Sequence, residues 1–185
     1  MKWFTKLILL AFLAICATWA VAGGAQYDRV LRIHYRDMLL NAAKAYERKD
    51  FDDAFKLIRR DACAGDKGSQ AALGKMYLLG QGVQRNDLIG YAWLKTAGEY
   101  QFMGTRSVTR KLHEAMTPKQ RQIADSKADE LLRLYGMQAT GVSCNRGSSQ
   151  GGNIKDMVVC QPRSTGSIAD SSRLELRRCE HTAPD

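Results

Sequence analysis

Leu73-Gly-Lys-Met-Tyr-Leu-Leu-Gly-Gln-Gly-Val83, followed by Asn86 and then by Tyr91-Ala-Trp93 and Ala97, is the stretch on which the fold turns. Its first half carries Ala72, Leu73, Met76 and Tyr77 at the three-to-four spacing of a helix with one apolar face. Gly80 and Gly82 interrupt that spacing. Glycine enters the left-handed backbone region without the steric penalty other residues meet, so a sharp turn belongs here. Asn86 suits a helix N-cap, and Ile89, Ala92, Trp93, Thr96, Ala97 and Tyr100 give the next helix its inward face. Gly74 permits the two helices to approach closely, and Tyr77 and Trp93 fill the space between them. The unit is a helical hairpin.

Working outward, Tyr27, Val30, Leu31, His34, Met38, Ala42 and Ala45 predict a first helix reaching about Lys49. Asp50, with Asp53 at N3, predicts the cap of a second helix that buries Phe51, Phe55, Ile58 and Ala62 and ends near Gly65. The third helix, the first arm of the hairpin, is expected from about Ser69 to Leu79. A fifth is expected around Arg106 to Ala115, with Val108 and Leu112 inward. Thr117-Pro-Lys-Gln120 then combines an N-cap threonine, proline at N1 and glutamine at N3. The sixth helix follows through Ile123, Ala124, Ala128, Leu131 and Tyr135 and stops at Gly136. Short links between amphipathic helices favour antiparallel hairpins stacked side by side.

After Gly136 the composition shifts to Gly, Ser and Asn. Asp156-Met-Val-Val-Cys160 and Arg173-Leu-Glu-Leu-Arg-Arg-Cys179 have strand character, and Gly152-Asn-Ile-Lys-Asp156 and Gly166-Ser-Ile-Ala-Asp170 echo each other as turns. A small hairpin or three-strand patch is expected, stapled by disulfides rather than built on a core.

Gly65-Asp66, Leu73-Gly74, Tyr77, Gly80, Gly82-Val83, Ala92-Trp93 and Ala97 together resemble the SEL-one-like repeat family, relatives of the tetratricopeptide repeats. Upstream, Ala45-Tyr46 and Asp50-Phe-Asp-Asp-Ala54 resemble the second half of a preceding repeat. Downstream, Met116-Thr-Pro-Lys-Gln-Arg121 and the helix after it resemble the closing helices of secreted bacterial members. The resemblance implies an all-α fold, a short α/α solenoid with a small disulfide-linked β/loop extension at its C-terminus. Three positions depart from the family: Asn86 for Asp, and Gly90 and Gly98 for Ala. Each glycine is expected to loosen the fourth helix by up to ~1 kcal/mol relative to alanine. Cysteine-rich relatives have been linked to β-lactam binding, but this chain lacks both Ser-x-x-Lys and a regular cysteine pair within each repeat.

The N-terminus sets the compartment. Lys2 and Lys6 precede an apolar run from Leu7 to Ala17, and Ala20-Val-Ala22 is a small-x-small cleavage signal. Ile15 is too bulky for a lipoprotein signal at Cys16. The chain is thus read as a leader over 1–22, cleaved after Ala22, a helical domain over 23–136 and a cysteine-containing extension over 137–185, secreted to the periplasm. Cleavage removes two lysines and no acid, so the net charge of +9 becomes +7. It also removes one of five cysteines and leaves Cys63, Cys144, Cys160 and Cys179 in an oxidising compartment. Four cysteines allow three pairings. Cys144–Cys160 closes a compact loop and is the first choice, which leaves Cys63–Cys179 to tie the tail to the second helix.

Ser-x-x-Lys, Gly-x-Ser-x-Gly, His-Glu-x-x-His and phosphate-loop patterns are all absent. His34 is expected to pack on the apolar face of the first helix, and His113-Glu114 to favour a helix end. Cys179-Glu-His181 lacks an accompanying Cys-x-x-Cys, so a disulfide is expected there rather than zinc. No cofactor or metal is expected. The basic residues Arg59-Arg60, Arg106, Arg110-Lys111, Lys119 and Arg121 read as solvated helix faces, and a secreted chain without interleaved exposed aromatics suits nucleic acid poorly. The favoured reading is a non-enzymatic protein-interaction module of the bacterial envelope, with a protein or peptide partner held on Lys75, Leu78, Tyr91, Lys95 and Tyr100. A periplasmic hydrolase or cell-wall-active enzyme, and a cationic binder of anionic envelope polymer, are the alternatives.

Overall fold

The computed structural model describes residues 26–100, 104–147, 157–164 and 172–179. The expected leader, the two echoing turns and His181 lie outside these residues. In chain order come β1 (Tyr27–Leu31), α1 (Arg32–Glu47), α2 (Phe51–Cys63), α3 (Lys67–Leu79), α4 (Asp87–Ala97) and a single turn of 3-10 helix (Gly98–Tyr100). Then follow α5 (Thr105–Ala115), α6 (Pro118–Tyr135), the one-turn α7 (Met137–Thr140), β2 (Ser143–Gly147), β3 (Met157–Gln161) and β4 (Arg173–Arg177).

The α3–α4 hairpin is held by a glycine crossing. A Cβ on Gly74 would stand 2.9 Å from the Gly90 carbonyl oxygen, and one on Gly90 would stand 2.9 Å from that of Gly74. Gly90, where the repeat family has alanine, therefore serves the packing, and α4 runs unbroken through it. Gly82 has φ +67° in the turn, and any side chain there would collide with the Phe51 carbonyl oxygen, so the turn seats directly on the start of α2. The Asn86 carboxamide accepts from the Ile89 amide at 3.1 Å and caps α4. α3 starts slightly earlier than its apolar spacing indicates, because Asp66 supplies the cap by accepting from the Ser69 amide at 2.7 Å. Asp50 occupies the N-cap position of α2, but its side chain makes no capping bond.

Successive helices stack α1 on α2, α2 on α3 and α3 on α4, and α4 then packs against both α5 and α6. This is the short helical solenoid that the repeat positions imply. Its core joins Ala45 of α1 and Ala54, Ile58 and Ala62 of α2 to Leu73 and Tyr77 of α3. It continues through Trp93 of α4 to Leu131 and Tyr135 of α6. Trp93 stacks on Tyr135 with ring centroids 5.6 Å apart, and Phe55 meets Tyr77 edge-on at 5.5 Å. Thr117 and Gln120 form the capping box expected at the start of α6.

A buried polar knot fixes the far end of the stack. Lys67 is fully buried, and its ammonium donates to Gln70 Oε1 at 3.0 Å, the Thr96 carbonyl at 3.2 Å and Glu99 Oε2 at 2.9 Å. The same Glu99 oxygen accepts from the Met137 amide at 2.8 Å, at the start of α7. Gln70 Nε2 donates to the carbonyls of Ala62 and Tyr135. Burial pushes the Lys67 ammonium below its ordinary range, against the pull of the Glu99 carboxylate. No periodicity marked Lys67, because its aliphatic stem reads as a polar residue at a buried position.

Two expectations for the ends of the chain change. Residues 27–31, read by spacing as the start of a helix, form strand β1, which pairs antiparallel with β4. The partner strand lies far away in sequence, and its ladder outweighs a local helical spacing. With α1 starting at Arg32, its buried positions are Tyr35, Ala42 and Ala45, so His34 points aside and is exposed rather than packed. Similarly, the tail is not one patch: β2 pairs with β3, whereas β4 joins β1. Leu174 and Leu176 of β4 are buried with Tyr35 and Ala64, which gives the extension a small core of its own. Disulfides Cys63–Cys179 and Cys144–Cys160 staple it, closing separations of 116 and 16 residues. Arg178 adds an ion pair to Asp28.

Candidate functional site

α1 and α3 diverge over the face of α2 and leave a cleft of about 320 Å³ between them. Small residues open it: Ala42 and Ala43 on α1 face Gly68 and Ala72 on α3. Larger apolar groups line it, with Leu39 and Tyr46 on the α1 wall and Ile58 of α2 at its base. At one end the Lys75 ammonium lies over the Tyr46 ring, 5.7 Å from its centroid, and the Tyr46 hydroxyl donates to Gln81 Oε1 at 2.9 Å. Glu47 stands on the rim at the end of α1.

The opposite end is acidic. Asp66, a lining residue, is fixed by the Ser69 amide and by a hydrogen bond with the Tyr35 hydroxyl, one turn before Leu39 on α1. Asp61 of α2 is close by and fully buried. One of its oxygens accepts from Arg60 Nε at 2.8 Å, and the other has no hydrogen-bond partner among the described residues. Burial raises the Asp61 carboxyl above its usual range. Burial also raises the Tyr35 phenol, reinforced by the negative charges of Asp66 and Asp61.

A second cluster joins α4, α5 and α6 around Asp125. Its Oδ1 accepts from the Tyr91 hydroxyl and the Lys95 ammonium, each at 2.8 Å, and its Oδ2 lies 3.1 Å from His113 Nε2. Lys95 lies over the Tyr91 ring at 5.7 Å, and the Tyr91 and His113 rings are 5.8 Å apart. The Lys95 bond holds the Asp125 carboxyl down to about 2, against partial burial, with Tyr91 and His113 adding to it. Burial and the bond to Asp125 push the Tyr91 phenol up. Lys95 is raised because its carboxylate partner outweighs its burial. A lysine held charged, a phenol held protonated and a carboxylate held ionised make a stable clasp, opposite to the near-neutral tuning of a general acid or base. Arg121 locks the same corner by donating from Nε to the carbonyls of His113 at 2.9 Å and Met116 at 3.1 Å.

The five residues singled out as a partner surface fall in different places. Lys75 is exposed at the end of the cleft. Leu78 is half-buried and packs toward Gly90 on α4. Tyr91 is buried, Lys95 is half-exposed, and both belong to the Asp125 clasp. Tyr100 is half-buried in the 3-10 turn. Sequence reasoning missed Leu39, Ala43, Tyr46, Glu47 and Ala72 as a shared surface. The available signal was the run of small residues at facing positions on two helices of neighbouring hairpins. Asp125 had no local signal, since Tyr91 and Lys95 come from α4, at least 30 residues earlier, and His113 from α5.

No family model and no curated protein matches the chain. Among solved structures it is similar to a protective antigen present in uropathogenic Escherichia coli strains that displays an SLR fold, with 23% identity and a TM-score of 0.45. That likeness covers 56% of this chain and 23% of the antigen, so the chain spans about a quarter of that protein's length.

Proposed function

We propose that this protein is a non-enzymatic interaction module of the bacterial envelope, exported to the periplasm, which holds a partner protein or peptide in the α1–α3 cleft. The observation that carries this reading is the cleft itself: an open, mainly apolar trough of about 320 Å³ whose small side chains leave room for another chain. Helical arrays present extended surfaces of this kind, and an extended segment in such a trough gains apolar contact along its length. Two disulfides suit an oxidising compartment, and among the described residues no helix is long and apolar enough to cross a membrane.

The test is crosslinking in the native envelope followed by identification of what is joined. Filling the trough with Ala43→Phe is expected to abolish the adduct, because Ala43 is exposed on the cleft wall. Tyr91→Phe with Lys95→Met alters the clasp and is expected to leave it in place. Loss in the second variant and retention in the first would move the partner surface to α4.

A further inference from the structure

Resting on that reading of the cleft, we propose that its occupant is an extended peptide segment in which an aliphatic side chain is followed by a lysine or arginine. The walls select the aliphatic part: Leu39, Tyr46 and Ile58 offer carbon, and the alanines between them leave the space. The rim selects the charge, since the two lining residues that carry a charge at neutral pH, Glu47 and Asp66, are both carboxylates.

Each carboxylate is set for this. Asp66 receives the Ser69 amide and the Tyr35 hydroxyl and is thereby held in one orientation before any ligand arrives. Glu47 makes no ion pair among the described residues and sits in the last turn of α1. A negative charge at that end opposes the helix dipole, so the residue does not serve the helix that carries it. Lys75, which would repel a ligand cation, has its ammonium drawn over the Tyr46 ring. The rest of the chain sharpens the contrast. With a net charge of +9, or +7 once residues 1–22 are removed, the protein as a whole repels cationic peptides, so a preference for one must come from a local site. The apolar stem of lysine or arginine lies well along such a wall while its head reaches a rim carboxylate.

Fluorescence anisotropy with the full, oxidised protein tests this. The probe is a labelled nine-residue peptide of alternating valine and lysine flanked by serines. Its controls carry glutamate in place of lysine, or serine in place of valine. The lysine peptide is expected to bind best and to be lost with Ala43→Phe. Glu47→Gln and Asp66→Asn are each expected to weaken it about two- to fivefold, the range of a solvent-accessible ion pair. Asparagine still caps a helix, so the Asp66 variant keeps its fold. Lys75→Gln is expected to hold or strengthen binding. Equal or tighter binding of the glutamate peptide, still lost with Ala43→Phe, overturns the proposed chemistry and leaves the cleft as a binding site. No binding by any of the three, or binding indifferent to Ala43→Phe, removes the cleft reading and this proposal together.

Discussion

Asp125 gathers Tyr91 and Lys95 of α4 and His113 of α5, and acid should loosen that arrangement in a defined window. Its folded pKa of about 2 lies below the ordinary 3.8, so the stabilisation is complete above the unfolded value and disappears as pH falls from about 4 to about 2. Urea unfolding midpoints measured across that window should fall less steeply in Asp125→Asn than in the parent protein. Parallel pH profiles would show that the clasp contributes nothing. Lys67 poses the opposite problem, a charge with no exposure whose partners are all protein. Lys67→Ala leaves Gln70 Oε1 without its donor and Glu99 with the Met137 amide but no countercharge, and a loss of about 3 kcal/mol is expected in equilibrium unfolding.

At the level of elements, the α3–α4 crossing makes a prediction that helix propensity alone gets backwards. Gly90→Ala should add about 1 kcal/mol of helix preference. However, the new Cβ would stand 2.8 Å from the Leu78 side chain and 2.9 Å from the Gly74 carbonyl, and overpacking of that kind costs about 1–3 kcal/mol. Net destabilisation is expected in thermal melts, and a raised melting temperature would mean that the helices simply move apart. Most helices were legible because their signals are local: Gly80 and Gly82 in the turn, Asn86 and Thr117 at the caps, Trp93 on an inward face. Strand β1 was not legible, since residues 27–31 obey a helical spacing and become a strand only because Arg173–Arg177 pairs with them. The cleft was half legible. Lys75 marks its end, but facing alanines on α1 and α3 become a surface only once α2 has spaced the two helices apart.

For the whole molecule, the last strand pairs with the first, and the Cys63–Cys179 bridge closes a loop that runs from the end of α2 to the end of the described tail. In the chain-entropy account a loop of this length contributes up to about 4–5 kcal/mol, and the 16-residue Cys144–Cys160 loop about 3 kcal/mol. Replacing Cys63 and Cys179 by alanine should therefore destabilise more than replacing the other pair. It should also speed amide exchange in β1 and β4 together, since the two strands form one ladder. Faster exchange in β4 alone would contradict that coupling. The array is short, and the α1–α3 cleft is the surface proposed to receive another chain. A photoreactive residue placed at Ala43 and, separately, at the exposed Arg133 of α6 tests this most directly in envelope preparations. A discrete adduct is expected from position 43, competed away by the valine–lysine peptide, and none from position 133; adducts from position 133 alone would put the partner on α6 and refute the cleft.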